Sequence, residues 1–180
     1  MNPPAPASTR RRHLVFGLGA GAGLAAGAWL ALRHEPPPLD PAVAALWSSS
    51  FERPEGGTLA MQSLRGKPLL INFWATWCAP CIRELPQIDR FHRDFLPKGW
   101  QVVGLAVDGP TPVRAFLAKM KLGFPIGLAG FEGSELSRQL GNEQGGLPFS
   151  VAFDASGRPV QRKLGETSYE DLAAWARALG

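Results

Sequence analysis

The chain holds two cysteines, and both fall within four residues. They stand in the stretch NFWATWCAPCIRELP, residues 72–86. Ahead of them LLINFW (Leu69–Trp74) is a nearly continuous apolar run of a length that suits a buried central strand. Behind them Ile82, Leu85, Ile88, Phe91 and Phe95 recur at helical spacing, with Pro86 predicted to kink the helix. A buried strand running into a helix, with a cysteine pair at the joint, restricts the fold to an α/β architecture. Open α/β sheets place their chemistry at this point, beyond the carboxyl ends of the strands.

The pair itself has a definite chemistry there. With Cys78 at the helix start, its sulfur lies near unpaired backbone N–H groups and the positive end of the helix dipole. Both favour a thiolate, and cysteines so placed fall from a pKa of about 8.5 to roughly 3.5–7.5. A Cys78 thiolate can attack a partner's disulfide, and Cys81, one turn further in, can resolve the mixed disulfide. Pro80 stiffens the turn between them, and Trp77 offers an apolar face to a partner. Other uses of the pair fit poorly. A zinc site needs about four ligands, and the chain adds only His13, His34 and His92. A purely structural disulfide across two residues closes too small a loop to stabilise much.

Elsewhere the chain alternates strand and helix signals. Asp40-Pro41 is predicted to cap a short helix, AVAALW. SSSFERPEGGTLAMQSLRGKP reads as two short strands around Glu55-Gly56-Gly57, a hairpin at the start of the domain. WQVVGLAVD is a second buried strand. Thr111-Pro112 is predicted to cap a helix with Val113, Phe116, Leu117 and Met120 on one face. FPIGLA is a short strand, and SELSRQLG a short helix ending at Gly141. SVAFD and PVQRKLG form a hairpin through the turn ASGR. Ser168–Leu179 is a closing helix with Tyr169, Leu172, Ala173, Ala176 and Leu179 inward. His92 is expected on a solvated helix face, and Trp47, Trp100 and Trp175 in packing roles. These elements give an α/β sandwich around a mixed sheet.

The amino-terminal residues have a different character. Arg10-Arg11-Arg12-His13 precede an uncharged apolar run, Leu14–Leu32. That arrangement fits an uncleaved membrane anchor or a secretory signal. The positive-inside rule keeps the arginines in the cytoplasm and sends the remainder out, to the periplasm or an equivalent extracytoplasmic space. Arg11-Arg12 resembles a twin-arginine signal, and Ala26-Gly27-Ala28 offers a small-residue cleavage site. RHEPPPLDP (Arg33–Pro41) is a proline-rich spacer. The expected order is a basic terminus at 1–13, an anchor or signal at 14–32, a linker at 33–41 and a domain at 42–180. Three of the four net positive charges precede Leu39. The domain therefore lacks a basic stripe, and nucleic acid is excluded as a partner.

With these residues in view, the segment NFWATWCAPCIRELP resembles the active site of the thioredoxin superfamily. It is most similar to the TlpA/ResA-like branch of exported, often membrane-tethered thiol-disulfide oxidoreductases. The resemblance runs from about Pro41 to the end, through GKPLLINFWATWCAPCIRELP, VVGLAVD, GFPIGLA and GGLPFSVAFDASGRPV. It implies a thioredoxin-like fold whose central mixed sheet is flanked by helices, carrying the amino-terminal hairpin as an extension. It also implies a reductase of exported cysteine proteins, with cytochrome c or metal-centre maturation as typical targets. No cofactor is implied, and a membrane donor of the CcdA/DsbD type would recharge the cysteines.

The resemblance also implies roles for single residues. Pro148 falls where the family has a cis-proline loop, and would pack against the disulfide while Leu147 presents its backbone to a partner strand. From the sequence alone, a trans proline opening a strand explains Pro148 equally well. Asn72 stands where thioredoxin carries a buried aspartate, and cannot take up a proton. Glu84 matches a glutamate of the TlpA/ResA branch and, if buried, would assist proton transfer at Cys81. The other reading of Glu84 is an exposed glutamate that favours the early turns of its helix. Two alternative functions use the same fold. A thiol peroxidase would need Pro at Ile71 and Ser or Thr at Ala75. A copper chaperone would need a C-x-x-x-C pair and a distant histidine.

Overall fold

The computed structural model describes residues 37–179. The predicted anchor or signal at 14–32 and the basic terminus before it lie outside the described residues. Among the described residues no helix is long and apolar enough to cross a membrane. From Leu39 on, the chain forms one compact unit.

Helix α1 (Pro41–Ser48) starts where its cap predicts: Asp40 accepts a hydrogen bond of 2.8 Å from the Ala42 N–H, and Pro41 opens the first turn. Strands β1 (Ser50–Glu52) and β2 (Thr58–Ala60) follow. Then come β3 (Leu69–Trp74), α2 (Ala79–Phe95), β4 (Gln101–Ala106), α3 (Pro110–Lys119) and β5 (Ile126–Leu128). The chain ends with α4 (Gly133–Gln139), β6 (Phe149–Phe153), β7 (Pro159–Leu164) and α5 (Tyr169–Leu179).

The strands form one mixed sheet in the order β2-β1-β5-β4-β3-β6-β7. Strands β3, β4 and β5 run parallel, while β6 pairs antiparallel with β3 on the other side. Every residue of β3 is buried, as expected of a central strand covered on both faces. Period-two alternation divides its side chains. Leu69, Ile71 and Phe73 join Val43, Leu46 and Trp47 of α1 in one core layer. Leu70 and Trp74 face the opposite layer, with Leu85, Ile88 and Phe91 of α2 and Leu172, Ala173 and Ala176 of α5. Each large apolar side chain so buried contributes roughly 1.5–3 kcal/mol. This is a thioredoxin-like α/β fold.

Two expectations are corrected. Helix α3 begins at Pro110 after Gly109, ahead of Thr111-Pro112, because Pro110 already has the φ of a first helical residue and lacks the N–H that would go unpaired there. His92 is buried, its ring 6.1 Å from that of Phe124. It lies one turn beyond Ile88, so the apolar stripe of α2 is wide enough to carry it inward. Tyr169 packs partly buried against the layer between α5 and α2, as its spacing predicts, with its hydroxyl donating to Asp94 at 2.8 Å and the Arg90 guanidinium 3.9 Å above its ring.

Candidate active site

The cysteines occupy the joint between β3 and α2. Parallel pairing of β3 with β4 fixes the end of β3, where the Val107 N–H donates to the Trp74 carbonyl at 2.8 Å. Cys78 is the amino-terminal cap of α2, and its sulfur accepts the Cys81 N–H at 3.3 Å. A cap residue ordinarily uses an oxygen for this purpose, and here the sulfur takes the same place in the field of the free N–H groups. Pro80 lies in the first turn, where a missing N–H costs no helical hydrogen bond. The two cysteines are joined by a disulfide, with Cα atoms 5.3 Å apart. Cys78 retains 5% exposure and Cys81 none. Trp77 beside them is 65% exposed, an unusual state for so large an apolar ring.

The loop before β6 and the connection after β7 together complete one side of the site. The Leu147–Pro148 peptide bond is cis. Register pairs Phe73 with Phe149, so Pro148 falls level with Trp74, at the end of the strand that leads to the cysteines. The Gly165 N–H donates to the Pro148 carbonyl at 2.8 Å, and Leu147 packs partly buried against both core layers. Gly165 has φ +94°, a conformation that side-chain-bearing residues rarely adopt, and so turns the chain back toward α2.

Beneath the cysteines lies a buried polar cluster. Asn72 on β3 and Ser150 on β6 are register partners, both fully buried, and their side chains hydrogen-bond at 3.1 Å. Glu84, one turn beyond Cys81, is fully buried as well. One of its oxygens accepts from the Asn72 amide at 2.7 Å, the other from the Thr167 N–H at 2.7 Å. Burial pushes the Glu84 pKa up to about 7. The hydrogen bonds from Thr167 and Asn72 hold it back, the charge of Glu166 raises it further and that of Lys163 lowers it. Of its two readings, the exposed helix glutamate is the one the structure removes. A carboxyl that changes charge near neutrality can give or take a proton at physiological pH.

Two contributors carry weaker signals in the sequence. Asp108, just past β4, is buried and accepts from both the N–H and the hydroxyl of Thr76, pinning the loop before the cysteines. Its other oxygen accepts the Gly109 N–H at 2.7 Å. The signal for it is a lone acid closing an apolar strand, in WQVVGLAVD. Thr167 acts through its backbone, which no side-chain pattern could reveal. Among the described residues no three His, Cys, Asp or Glu side chains cluster so as to hold a metal ion. Ile71 and Ala75 are both fully buried apolar residues, so no hydroxyl precedes Cys78 where a thiol peroxidase would have one.

Comparison with known proteins agrees with this geometry. The Redoxin family model matches residues 44–178. The chain is 29% identical to the thiol-disulfide oxidoreductase ResA of Bacillus anthracis over 126 residues, 69% of this chain and 70% of that protein. Among solved structures it is similar to a thiol:disulfide interchange protein of the thioredoxin family from Chlorobium tepidum. That likeness has a TM-score of 0.64 and 28% identity, over 73% of this chain and 92% of the other. StoA from Bacillus subtilis shares the fold at a TM-score of 0.58 and 24% identity, over 71% of this chain and 95% of its own. The chain belongs to the Redoxin family, as a ResA-like thiol-disulfide oxidoreductase built on the thioredoxin fold.

Proposed function

We propose that the protein reduces disulfides in cysteine proteins outside the cytoplasm, by exchange through Cys78 and Cys81. The observation that carries the reading is the pair's asymmetry. Cys78 keeps 5% exposure at a helix terminus, and Cys81 is fully buried one turn from a carboxyl raised to about 7.

In the reduced protein the Cys78 thiolate attacks a sulfur of the partner's disulfide. A Cys78–partner bond forms, and the partner's other sulfur leaves as a thiolate and takes up a proton. Cys81 passes its proton to ionised Glu84 and attacks the Cys78 sulfur, releasing the partner's second thiolate, which takes up a proton from water as Glu84 gives its own back to solvent. The partner gains two electrons and becomes a dithiol, while the enzyme ends in the Cys78–Cys81 disulfide seen in the structure. Trp77, Pro80, Leu147 and Pro148 form the face on which the partner segment docks. Recharging falls to a membrane dithiol donor of the CcdA/DsbD type, and the residues at 14–32 hold the enzyme at the membrane or direct its export.

Capture of the partner tests the reading. Cys81→Ser leaves the mixed disulfide without its internal exit, so the full-length variant should accumulate a reductant-sensitive adduct between Cys78 and an exported cysteine protein. Pro148→Thr should increase the yield, and Cys78→Ser should capture nothing. Partners of a reductase accumulate oxidised when the enzyme is absent. Their accumulation in the reduced form would make the protein a dithiol oxidase instead.

A further inference from the structure

The connection between β7 and α5 does more than close the fold. Within three residues it makes three contacts with the site. The Gly165 N–H bonds the carbonyl of cis-Pro148, Glu166 pairs with Arg83 at 2.8 Å, and the Thr167 N–H bonds Glu84 at 2.7 Å. Arg83 immediately precedes Glu84 on α2, so its side chain leaves the helix toward solvent as that of Glu84 turns inward. Its Nε and Nη2 both donate to one Glu166 oxygen, at 3.2 and 2.8 Å. Thr167 is itself 1% exposed, and its hydroxyl lies 3.5 Å from that of Ser150. Outside this ion pair the segment opens into a polar cleft of about 440 Å³, lined by Arg83, Lys163, Glu166 and Asp171.

We infer that Arg83 and Glu166 are positioning residues for Glu84: their ion pair clasps residues 165–167 onto the Glu84 carboxyl and the Pro148 carbonyl at once. The clasp ties the loop where a partner docks to the group that serves Cys81. The inference rests on the exchange reading only in assigning Glu84 to Cys81. The charged groups around the carboxyl are few. Arg83 lies on its own helix, Glu166 on the connection and Lys163 on β7, the last tied to Asp171 of α5 at 2.7 Å. From β3 the neutral Asn72 donates to the carboxyl, and from β6 the neutral Ser150 accepts from Asn72.

Charge and clasp predict opposite effects for one substitution. Glu166→Ala removes a negative charge near Glu84, which by charge alone would lower its titration midpoint. If Glu166 instead holds Thr167 in place, its loss frees a hydrogen bond that favours the ionised form, and the midpoint rises. The experiment follows the infrared carboxylic-acid band of Glu84 in the full chain with the disulfide formed, assigned by its disappearance in Glu84→Gln. Arg83→Met and Glu166→Ala should each raise the midpoint by up to about 0.7 units, the range an exposed ion pair can supply. Arg83→Lys should stay closer to wild type, and the exchanged pair Arg83→Glu with Glu166→Arg should recover most of the shift. Added salt should raise the midpoint more in wild type than in Arg83→Met, where only the screening of Glu166 and Lys163 remains. A lowered or unchanged midpoint in Glu166→Ala overturns the clasp. No partner protein is required, so this outcome is independent of whether the enzyme reduces or oxidises its partners.

Discussion

The Asn72 amide donates a 2.7 Å hydrogen bond to Glu84 across the boundary between sheet and helix, and neither residue has any exposed surface. A carboxyl held there is raised from 4.5 to about 7, chiefly by loss of water. The folded state therefore binds the proton more tightly than the unfolded chain. Stability from this group is fully present below about 4.5 and is lost as pH rises through about 7. The span corresponds to about 3 kcal/mol. Urea denaturation of the disulfide form between these limits should show the decline, and Glu84→Gln should flatten it. Burial holds the His92 pKa down and gives an opposite slope in the same window, so the difference between wild type and Glu84→Gln is the measure, and identical pH profiles for the two proteins would contradict the assignment.

Replacing Asn72 by aspartate puts a second carboxyl within hydrogen-bonding distance of Glu84. Two buried carboxylates at that separation cannot both ionise, so the pair should retain one shared proton. In Asn72→Asp the infrared carboxylic-acid band should persist well above the wild-type midpoint of about 7. Loss of the band at the wild-type pH would show that the two side chains do not share the proton.

Asp108 holds the Thr76 N–H, the Thr76 hydroxyl and the Gly109 N–H in a nearly buried site. Asp108→Ala strands these donors and should cost about 1–3 kcal/mol. Asp108→Asn keeps one acceptor oxygen and should lose less. Chemical denaturation of the three proteins gives the order directly. Equal stabilities would mean that the loop before Cys78 is held by other contacts.

The framework was legible where chemistry is local. LLINFW is apolar throughout because both faces of β3 are covered, and Asp40-Pro41 caps α1 through atoms two residues apart. The cysteine pair announces itself by spacing alone. Legibility fails where a role depends on residues far apart in sequence. Glu84 meets Thr167 across 83 positions, and Asp108 meets Thr76 across 32. Neither pairing has a periodic signature. Helical spacing could have placed His92 with Ile88 and Phe95, but the polarity of its side chain argued for solvent. A wide apolar stripe outweighed that preference.

The remaining prediction concerns which sulfur reacts first. Cys78 keeps slight exposure and its sulfur accepts a backbone N–H at the terminus of α2, while Cys81 has no exposed surface. On reduction, the helix terminus should favour the Cys78 thiolate, which should alkylate rapidly near neutral pH. Cys81 should resist for two reasons, burial and the nearby Glu84 carboxylate, which disfavours a second negative charge once it ionises above about 7. Glu84→Gln removes that charge and should bring the Cys81 thiol's titration to lower pH, leaving that of Cys78 nearly unmoved. Mass spectrometry of the reduced full chain after brief alkylation at a series of pH values separates the two sites. Preferential labelling of Cys81 would reverse the assignment of nucleophile and resolver, and an identical Cys81 profile in Glu84→Gln would remove Glu84 from the proton path.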